Sequence, residues 1–390
     1  MLQALVWTMV LGTSIPAIVL AAECLVALRR TVRPATVPAA PPYVVLMPAH
    51  DEARGIAPVI AAVLQQLRPC DELVVVADNC TDATAEIARE LGATVIERRD
   101  AERRGKGCAL EFGREFLALR RSGWDARVVI VLDADCVPGP AALPTIAALA
   151  EMRQAAVQGA YLLEPPRHAD AVVGVSCFAF LVKNLVRQVA LDRLAGAALL
   201  QGSGMAFPPT MFAGMHWATA SLVEDLDMGL DLLLAGRSVI FAENARFVGT
   251  ASSRQGTAGQ RRRWEHGMLQ TMTRYVPRLL ATAWRQRCAG LAMVALDLLV
   301  PPTVLLAMAL AAAIVLAALV DGAGLPLCVL LASSLGLGFA LLATWQRHAR
   351  AILPLGSLVQ IPGYVLWKVP LLVQFVTRRQ RAWLRTERDP

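Results

Sequence analysis

Short apolar runs alternating with helical stretches predict an α/β domain built on a mixed, mostly parallel sheet. Acidic residues stand where those runs end: Asp78 after LVVVA, and Asp133 and Asp135 after VVIVL. Ligands of such sheets bind at the carboxyl ends of the strands, so pattern and candidate chemistry agree. A third observation is that long apolar stretches flank the α/β part, adding membrane and interfacial helices to the fold class.

Composition requires those stretches. The chain has 390 residues, 56% of them hydrophobic, and a mean hydropathy of +0.50, too high for a wholly soluble protein. Residues 4–22 carry no charge, 288–344 only Asp297 and Asp321, and 351–377 only Lys368. A span needs about 20 apolar residues. The N-terminal stretch lacks the basic start of a cleaved signal peptide and is longer than such a core. Arg29, Arg30 and Arg33 follow it, which predicts a cytoplasmic α/β domain at an inner (plasma) membrane. Eight cysteines without a CxxC pair predict reduced thiols, no disulfide framework and no structural zinc. The net charge of +7 collects in 98–104, 261–263, 274–287 and 378–388. The last three clusters flank membrane segments and suit anionic lipid headgroups. No module for nucleic acid accompanies them.

The elements follow in order. Residues 1–30 read as a transmembrane helix and 31–42, rich in Pro and Ala, as a linker. YVVLMPAH (43–50) reads as the first strand, followed by a helix over 56–67 and the strand ELVVVAD (72–78). Thr81 and Asp82 are caps for a helix over 83–92. ATVIER (93–98) is a strand, 107–121 a helix and RVVIVLDAD (127–135) a strand. AAVQGAYLL (155–163) is a further strand, and 168–191 a helix with an apolar face lying near the membrane. Gln201–Gly204 is a Gly-rich turn leading back to the strand ends, and Ser221 an N-cap for the helix carrying Glu224 and Asp225. SVIFAE (238–243) is the last strand.

The motifs differ in specificity. Asp133 and Asp135 form a DxD, which in this setting suits Mg²⁺ or Mn²⁺ together with a diphosphate. Glu224 and Asp225 complement a helix dipole, and one of them is a candidate general base for an acceptor hydroxyl. Gln260, Arg263 and Trp264 share one helical turn; arginine grips phosphate and an indole face stacks on a sugar. Lys106 lies in a Gly-Lys-Gly turn that is not a phosphate-binding P-loop, and no GxGxxG follows the first strand. Lys106 reaches either the diphosphate or solvent. His50 and His266 lack partners at metal-ligand spacing.

Taken together these residues resemble the processive branch of the family 2 inverting glycosyltransferases, the synthases of cellulose, chitin, hyaluronan and poly-N-acetylglucosamine. The family's opening Pro-x-x-Asn-Glu is matched by Pro48, Ala49, His50, Asp51 and Glu52, its nucleotide aspartate by Asp78 and its DxD by Asp133 and Asp135. Its base motif is matched by Val223, Glu224 and Asp225, and its QxxRW by Gln260, Arg263 and Trp264. Asn79 and Val223 depart from the family pattern.

The resemblance implies a GT-A domain over 43–257 and an interfacial helix over 258–287. It implies donor contacts from Pro48, Ala49, His50, Glu52, Asp78, Lys106, Asp133, Asp135, Gln260 and Arg263. Asp135 with Asp133 would hold Mg²⁺ or Mn²⁺, Asp225 would be the base, and Trp264 and Glu224 would meet the acceptor. The expected reaction passes a sugar from a UDP-sugar, UDP-N-acetylglucosamine or UDP-glucose, to a growing exopolysaccharide with inversion. A one-step transfer to a lipid-linked saccharide is the alternative, and partner membrane subunits would complete a channel. A transporter with a nucleotide-binding domain is a further reading, weakened because Asp297 is the one clear acidic residue inside a span. The spans 289–319 and 325–345 run out and in. Residues 351–377, interrupted by Pro354, Pro362, Lys368 and Pro370, would be re-entrant or interfacial, leaving the basic tail 378–390 cytoplasmic.

Overall fold

The computed structural model describes residues 2–29, 39–120, 127–166, 170–218, 221, 223–251, 254–321, 324–361 and 363. The strands are β1 (Tyr43–Ala49), β2 (Glu72–Asp78), β3 (Thr94–Arg98), β4 (Val128–Val131), β5 (Cys136–Pro138), β6 (Ala156–Glu164), β7 (Met205–Phe207) and β8 (Val239–Thr250). The helices begin with α1 (Leu2–Leu28), α2 (Ile56–Leu64), α3 (Thr84–Glu90), α4 (Lys106–Leu119) and α5 (Ala142–Arg153). They continue with α6 (Ala171–Leu181), α7 (Arg187–Ala195), α8 (Pro209–Ala213) and α9 (Glu224–Leu234). The last four are α10 (Arg254–Gln286), α11 (Ala289–Leu298), α12 (Thr303–Asp321) and α13 (Leu325–His348). The chain divides into two compact units. One holds Arg33–Leu163 and Ala197–Thr250, the other Met1–Val32, Glu164–Gly196 and Ala251–Pro390.

In the α/β unit the strand order is β3-β2-β1-β4-β7-β6-β8-β5. β1, β2, β3 and β4 run parallel, whereas β7 runs antiparallel to β4 and β6, and β5 to β8. Helices on both faces require central strands apolar throughout, and β1 and β4 are buried along almost their whole length. α2 buries Ile56, Val59, Ile60 and Val63, the spacing of one helical face. Pro48 sits in β1 because its pairing with β4 ends at Leu46 and Val131. The N–H that proline lacks would have faced that vacated side.

Several elements depart from the sequence reading. The strand expected over 127–135 ends at Val131. Asp133 and Asp135 fall in the turn that follows, closed by Cys136 N donating to Asp133 O at 3.1 Å. Ser221 does not cap α9. Its Oγ accepts from Val223 N at 3.2 Å, and Val223 is the cap residue. The last strand runs on to Thr250, since Phe247 and Val248 pair with β5. The helix expected over 168–191 contains a π turn at Val182–Val186 between α6 and α7. The single span expected over 289–319 is two helices, α11 and α12, broken at Pro301 and Pro302, which cannot continue the hydrogen-bond ladder.

In the helical unit, α1, α12, α13 and the combined helix 172–195 are long and apolar enough to cross a membrane. α1 and α13 run parallel: Ser14 Oγ and Ser333 Oγ are 3.1 Å apart, and ten residues on Cys24 meets Thr344. The combined α6–α7 helix touches one end of that pair at both of its own ends. A Cβ at Gly174 would lie 3.2 Å from Ile352 O, and Arg193 Nη1 donates to Val26 O and Arg29 O at 2.8 Å. These contacts lay it across the ends of α1 and α13, as an interfacial helix would lie. The same end carries Arg29, Arg193, Arg347 and Arg350, while residues 2–28 and 303–346 contain no lysine or arginine. Leu353, Leu358 and Ile361 fold back against Val175, Trp345 and Ala349. The remainder of 351–377 and the basic tail lie outside the described residues.

One buried carboxylate ties the entry of β1 to the entry of β2. Asp71, its side chain fully buried, accepts from Arg68 Nε at 2.8 Å, Arg68 N at 2.9 Å and Tyr43 N at 3.1 Å. Burial raises its carboxyl, but the Arg68 and backbone hydrogen bonds outweigh this and hold it below the usual range. A depressed carboxyl contributes stability above its unfolded value, near 3.9, which is lost as pH falls through the folded value. Asp71→Asn should therefore be less stable than wild type at pH 7 by about 1–3 kcal/mol. Chemical denaturation across pH checks this, and the gap should narrow as pH falls below about 4.

Candidate active site

The carboxyl ends of β1, β2 and β4 lie side by side, and the candidate residues gather there. At the end of β1, the His50 imidazole donates from Nδ1 to Asp78 O at 2.6 Å, and Glu52 N donates to Thr84 Oγ1 at 2.8 Å. These two bonds set the Pro48–Glu52 turn against the end of β2 and the start of α3. Asp51 and Asn79 both have positive φ, at 52°, a conformation that aspartate and asparagine tolerate.

Asp78 is nearly buried and sits in a closed ring of contacts. Its Oδ1 accepts from Arg98 Nη1 at 2.7 Å and Asn79 Nδ2 at 2.9 Å. Arg98 Nη2 donates to Asp100 Oδ2 at 2.8 Å, and Asn79 Oδ1 accepts from Asp100 N at 2.8 Å. Burial pushes the Asp78 carboxyl above the usual range, and Arg98 only partly offsets it. The asparagine that departs from the family pattern thus bridges Asp78 to Asp100. A groove of about 290 Å³ opens beside this ring, lined in part by Arg98, Asp100, Cys108 and Phe112.

The second cluster forms around Lys106, at the first turn of α4. Its Nζ donates to Asp133 Oδ1 and to Gly202 O, the latter at 2.7 Å. A Cβ at Gly202 would stand 3.2 Å from Asp225 Oδ2 and 3.5 Å from Lys106 Nζ. The Asp225 carboxylate and the lysine ammonium therefore lie against the same stretch of backbone. A Cβ at Gly107 would strike Trp217 O and stand 2.7 Å from Glu224 Oε2. Burial lowers the Lys106 ammonium, but Asp133, Asp225 and Glu224 more than compensate, leaving it above the ordinary lysine value. Glu224 and Asp225 occupy the first turn of α9, where the helix dipole favours negative charge.

The Gly-rich turn delivers the Gly202 carbonyl, and residues that sequence reading missed hold it. Gln158, buried in β6, donates to Ser203 O at 2.8 Å and accepts from Gln201 N at 2.8 Å. Ser203 Oγ accepts from Asp133 N at 3.1 Å. An amide inside the apolar run AVQGAYLL was the available signal for Gln158. Arg98 was visible only as part of a basic cluster.

The donor set can be tested for a divalent cation. Asp133, Asp225 and Glu224 bring three negative charges to one ammonium, and Asp135 stands in the same turn as Asp133. Hard carboxylate oxygens with surplus negative charge suit Mg²⁺ or Mn²⁺, so the residues fit. Asp51, Cys80 and Asp82 also converge, but Asp51 accepts from Thr81 N and Asp82 from Ala53 N and Thr84 N, bonds that tie the loops after β1 and β2 together. Gln260, Arg263 and Trp264 fall on the α10 backbone, and their side chains lie outside the described residues.

The fold and these carboxylate-lined strand ends define a GT-A-like glycosyltransferase. Residues 41–267 match the family model described as glycosyltransferase like family 2, and the chain belongs to that family. No curated protein is similar to it in sequence. The structure is similar to that of a mannosyltransferase from Pyrobaculum calidifontis in complex with GDP-Man and Mn²⁺. Identity is 19%, the match covers 95% of this chain and all of that one, and the TM-score is 0.58. A glucosyl-3-phosphoglycerate synthase from Mycobacterium tuberculosis, in complex with Mn²⁺, UDP and phosphoglyceric acid, is similar over 52% of this chain and 68% of that one. Identity there is 22% and the TM-score 0.33.

Gly204, at φ 65°, packs its α-carbon against the Phe247 ring, and a Cβ there would overlap Cδ2. Gly204→Ala should destabilise the protein by about 1–3 kcal/mol, through overpacking and an unfavourable φ. A thermal melt checks it, and an unchanged midpoint would show that the turn is not held by this contact.

Proposed function

We propose that the chain is a membrane-bound inverting transferase. It would pass a sugar from a nucleoside-diphosphate sugar, a UDP-sugar in the first instance, to a hydroxyl of a growing exopolysaccharide. The observation that carries this is the approach of Asp225 to Gly202, beside the Lys106–Asp133 pair. Asp225 would take the proton of the acceptor hydroxyl as its oxygen bonds to the anomeric carbon. The bond to the diphosphate breaks in the same displacement, which inverts the centre. Lys106 would offset negative charge on the leaving diphosphate. Asp133 and Asp135 would hold Mg²⁺ or Mn²⁺, which when bound neutralises diphosphate charge.

Further roles extend this reading. Asp78, steadied by Arg98, and the Pro48, Ala49, His50 and Glu52 turn would contact the nucleoside. Gln260 and Arg263 would grip the diphosphate, and Trp264 and Glu224 would meet the acceptor. Asp225 is preferred to Glu224 as the base because its carboxylate lies against Gly202 and acts more strongly on Lys106. The arginines gathered at one end of the helical unit support placing that end at the cytoplasmic face of the inner (plasma) membrane. A lipid-linked saccharide is the second acceptor reading. Among the described residues, α6–α7 lies across the helix ends, which leaves few helices to wall a saccharide channel. A single transfer needs no channel, and partner subunits would be required for export.

The test is nucleotide release by purified protein with Mn²⁺ or Mg²⁺, against UDP-sugars and GDP-Man. Release from one donor should fall by about 10²–10⁴ in Asp225→Asn and vanish with a chelator, while donor binding persists. Full turnover in Asp225→Asn would remove the proposed base. Product length on gels separates polymerisation from single transfer.

A further inference from the structure

Three ionisable side chains outside the candidate active site meet inside the helical unit. Arg187, at the start of α7, donates from Nε to Asp297 Oδ1 at 3.0 Å and from Nη2 to Asp297 O at 2.6 Å. Glu23 of α1 brings Oε2 to 3.4 Å from the same Nε. Relative exposures are 3% for Glu23, 6% for Arg187 and 1% for Asp297. The cluster joins α1, α7 and α11, and the π turn Val182–Val186 immediately precedes Arg187. π turns of this kind are frequent at functional sites, and ionisable groups inside a membrane unit are expensive to keep.

Its charges do not balance. Two carboxylates face one guanidinium, and that guanidinium also serves the main-chain carbonyl in the last turn of α11. The negative end of the α11 dipole falls on the same spot. Two oxygens lack a hydrogen-bond donor, Asp297 Oδ2 and Glu23 Oε2, and both atoms are buried. The two carboxyl groups bear directly on each other. An uncompensated charge in such surroundings is strongly destabilising. One proton removes the surplus charge and provides a donor where two acceptors meet.

We propose that this cluster is a proton-binding site, with Glu23 holding one proton and donating it to Asp297. The groups facing it are few. α1 contributes Glu23 and Cys24, α7 Arg187 and α11 Asp297; Thr303–Val320 and Leu325–Gln346 contain no charged residue, and Lys183 of the π turn is exposed. An alkali cation is the competing occupant. It is disfavoured because Arg187 already sits between the carboxylates, where a metal ion would need several oxygens around it. The site is independent of the proposed chemistry and makes the packing of the helical unit depend on a proton.

Infrared spectroscopy of the full chain in lipid nanodiscs is the test. The difference between wild type and Glu23→Gln at neutral pH should show the C=O stretch of a protonated carboxylic acid, shifted in D₂O. The subtraction removes any contribution from Asp78. A difference spectrum showing only carboxylate bands would overturn the proposal. Should Glu23→Gln not be recovered folded, melting of Cys24→Ala decides the matter. A midpoint that falls as pH rises and is indifferent to exchanging choline for sodium at fixed ionic strength supports a proton. A midpoint raised by sodium, or one flat with pH, rejects it.

Discussion

The ion pair between Lys106 and Asp133 is the contact on which the candidate site depends. Like charges at the ends of neighbouring elements repel, and Asp133, Glu224 and Asp225 approach from two separate segments. A cation among them offsets that repulsion, and Lys106 is part-buried at the first turn of α4. Its hydrogen bond to the Gly202 carbonyl adds the third segment. The pair therefore joins α4, the turn after β4 and the Gly-rich turn.

Glycine makes that convergence geometrically feasible. Gly202 takes a φ of 92°, and its lack of a side chain admits Asp225. Gly107 does the same for Trp217 O and Glu224. Behind this surface Gln158 satisfies the turn's backbone from the strand side, through polar contacts that are strong in a buried setting. The surface residues can thus remain under mutual electrostatic tension because Gln158 and Ser203 anchor the backbone beneath them. Asp78 shows the same division. Its carboxylate is held by Arg98 and Asn79, and neither partner belongs to the turn that His50 fixes above it.

What was legible in the sequence was local. β1, β2 and β3 were readable because apolar runs ended by proline, aspartate or a basic residue carry their own boundaries. The DxD and the Glu224–Asp225 pair stood out because carboxylates at element ends are conspicuous. Contacts closed over long separations were not readable. β7 has three residues, too few for periodicity, and exists because β4 and β6 flank it. Arg98 gave no sign of its partner among neighbouring arginines. Helix 168–191 was readable as a helix from its apolar face, but the π turn has no signature in VKNLV. The break at Pro301 and Pro302 is written in the sequence, but the hydropathy of the surrounding run gave a single span over 289–319.

The same excess of carboxylate over cation recurs in both units, with different physical consequences. At the strand ends Asp133, Glu224 and Asp225 are only part-buried, so solvent screens their surplus negative charge. Around Arg187 the neighbours are apolar helices, and a net charge there has no solvent to screen it. The resolution proposed for the first setting is a divalent cation, which Asp133 and Asp135 would hold. In the second it is a proton, which needs no ligand beyond the two carboxyl groups already present. Carboxylates in the two units thus meet different partners, an ammonium at the strand ends and, on the proposal made above, a proton at Glu23.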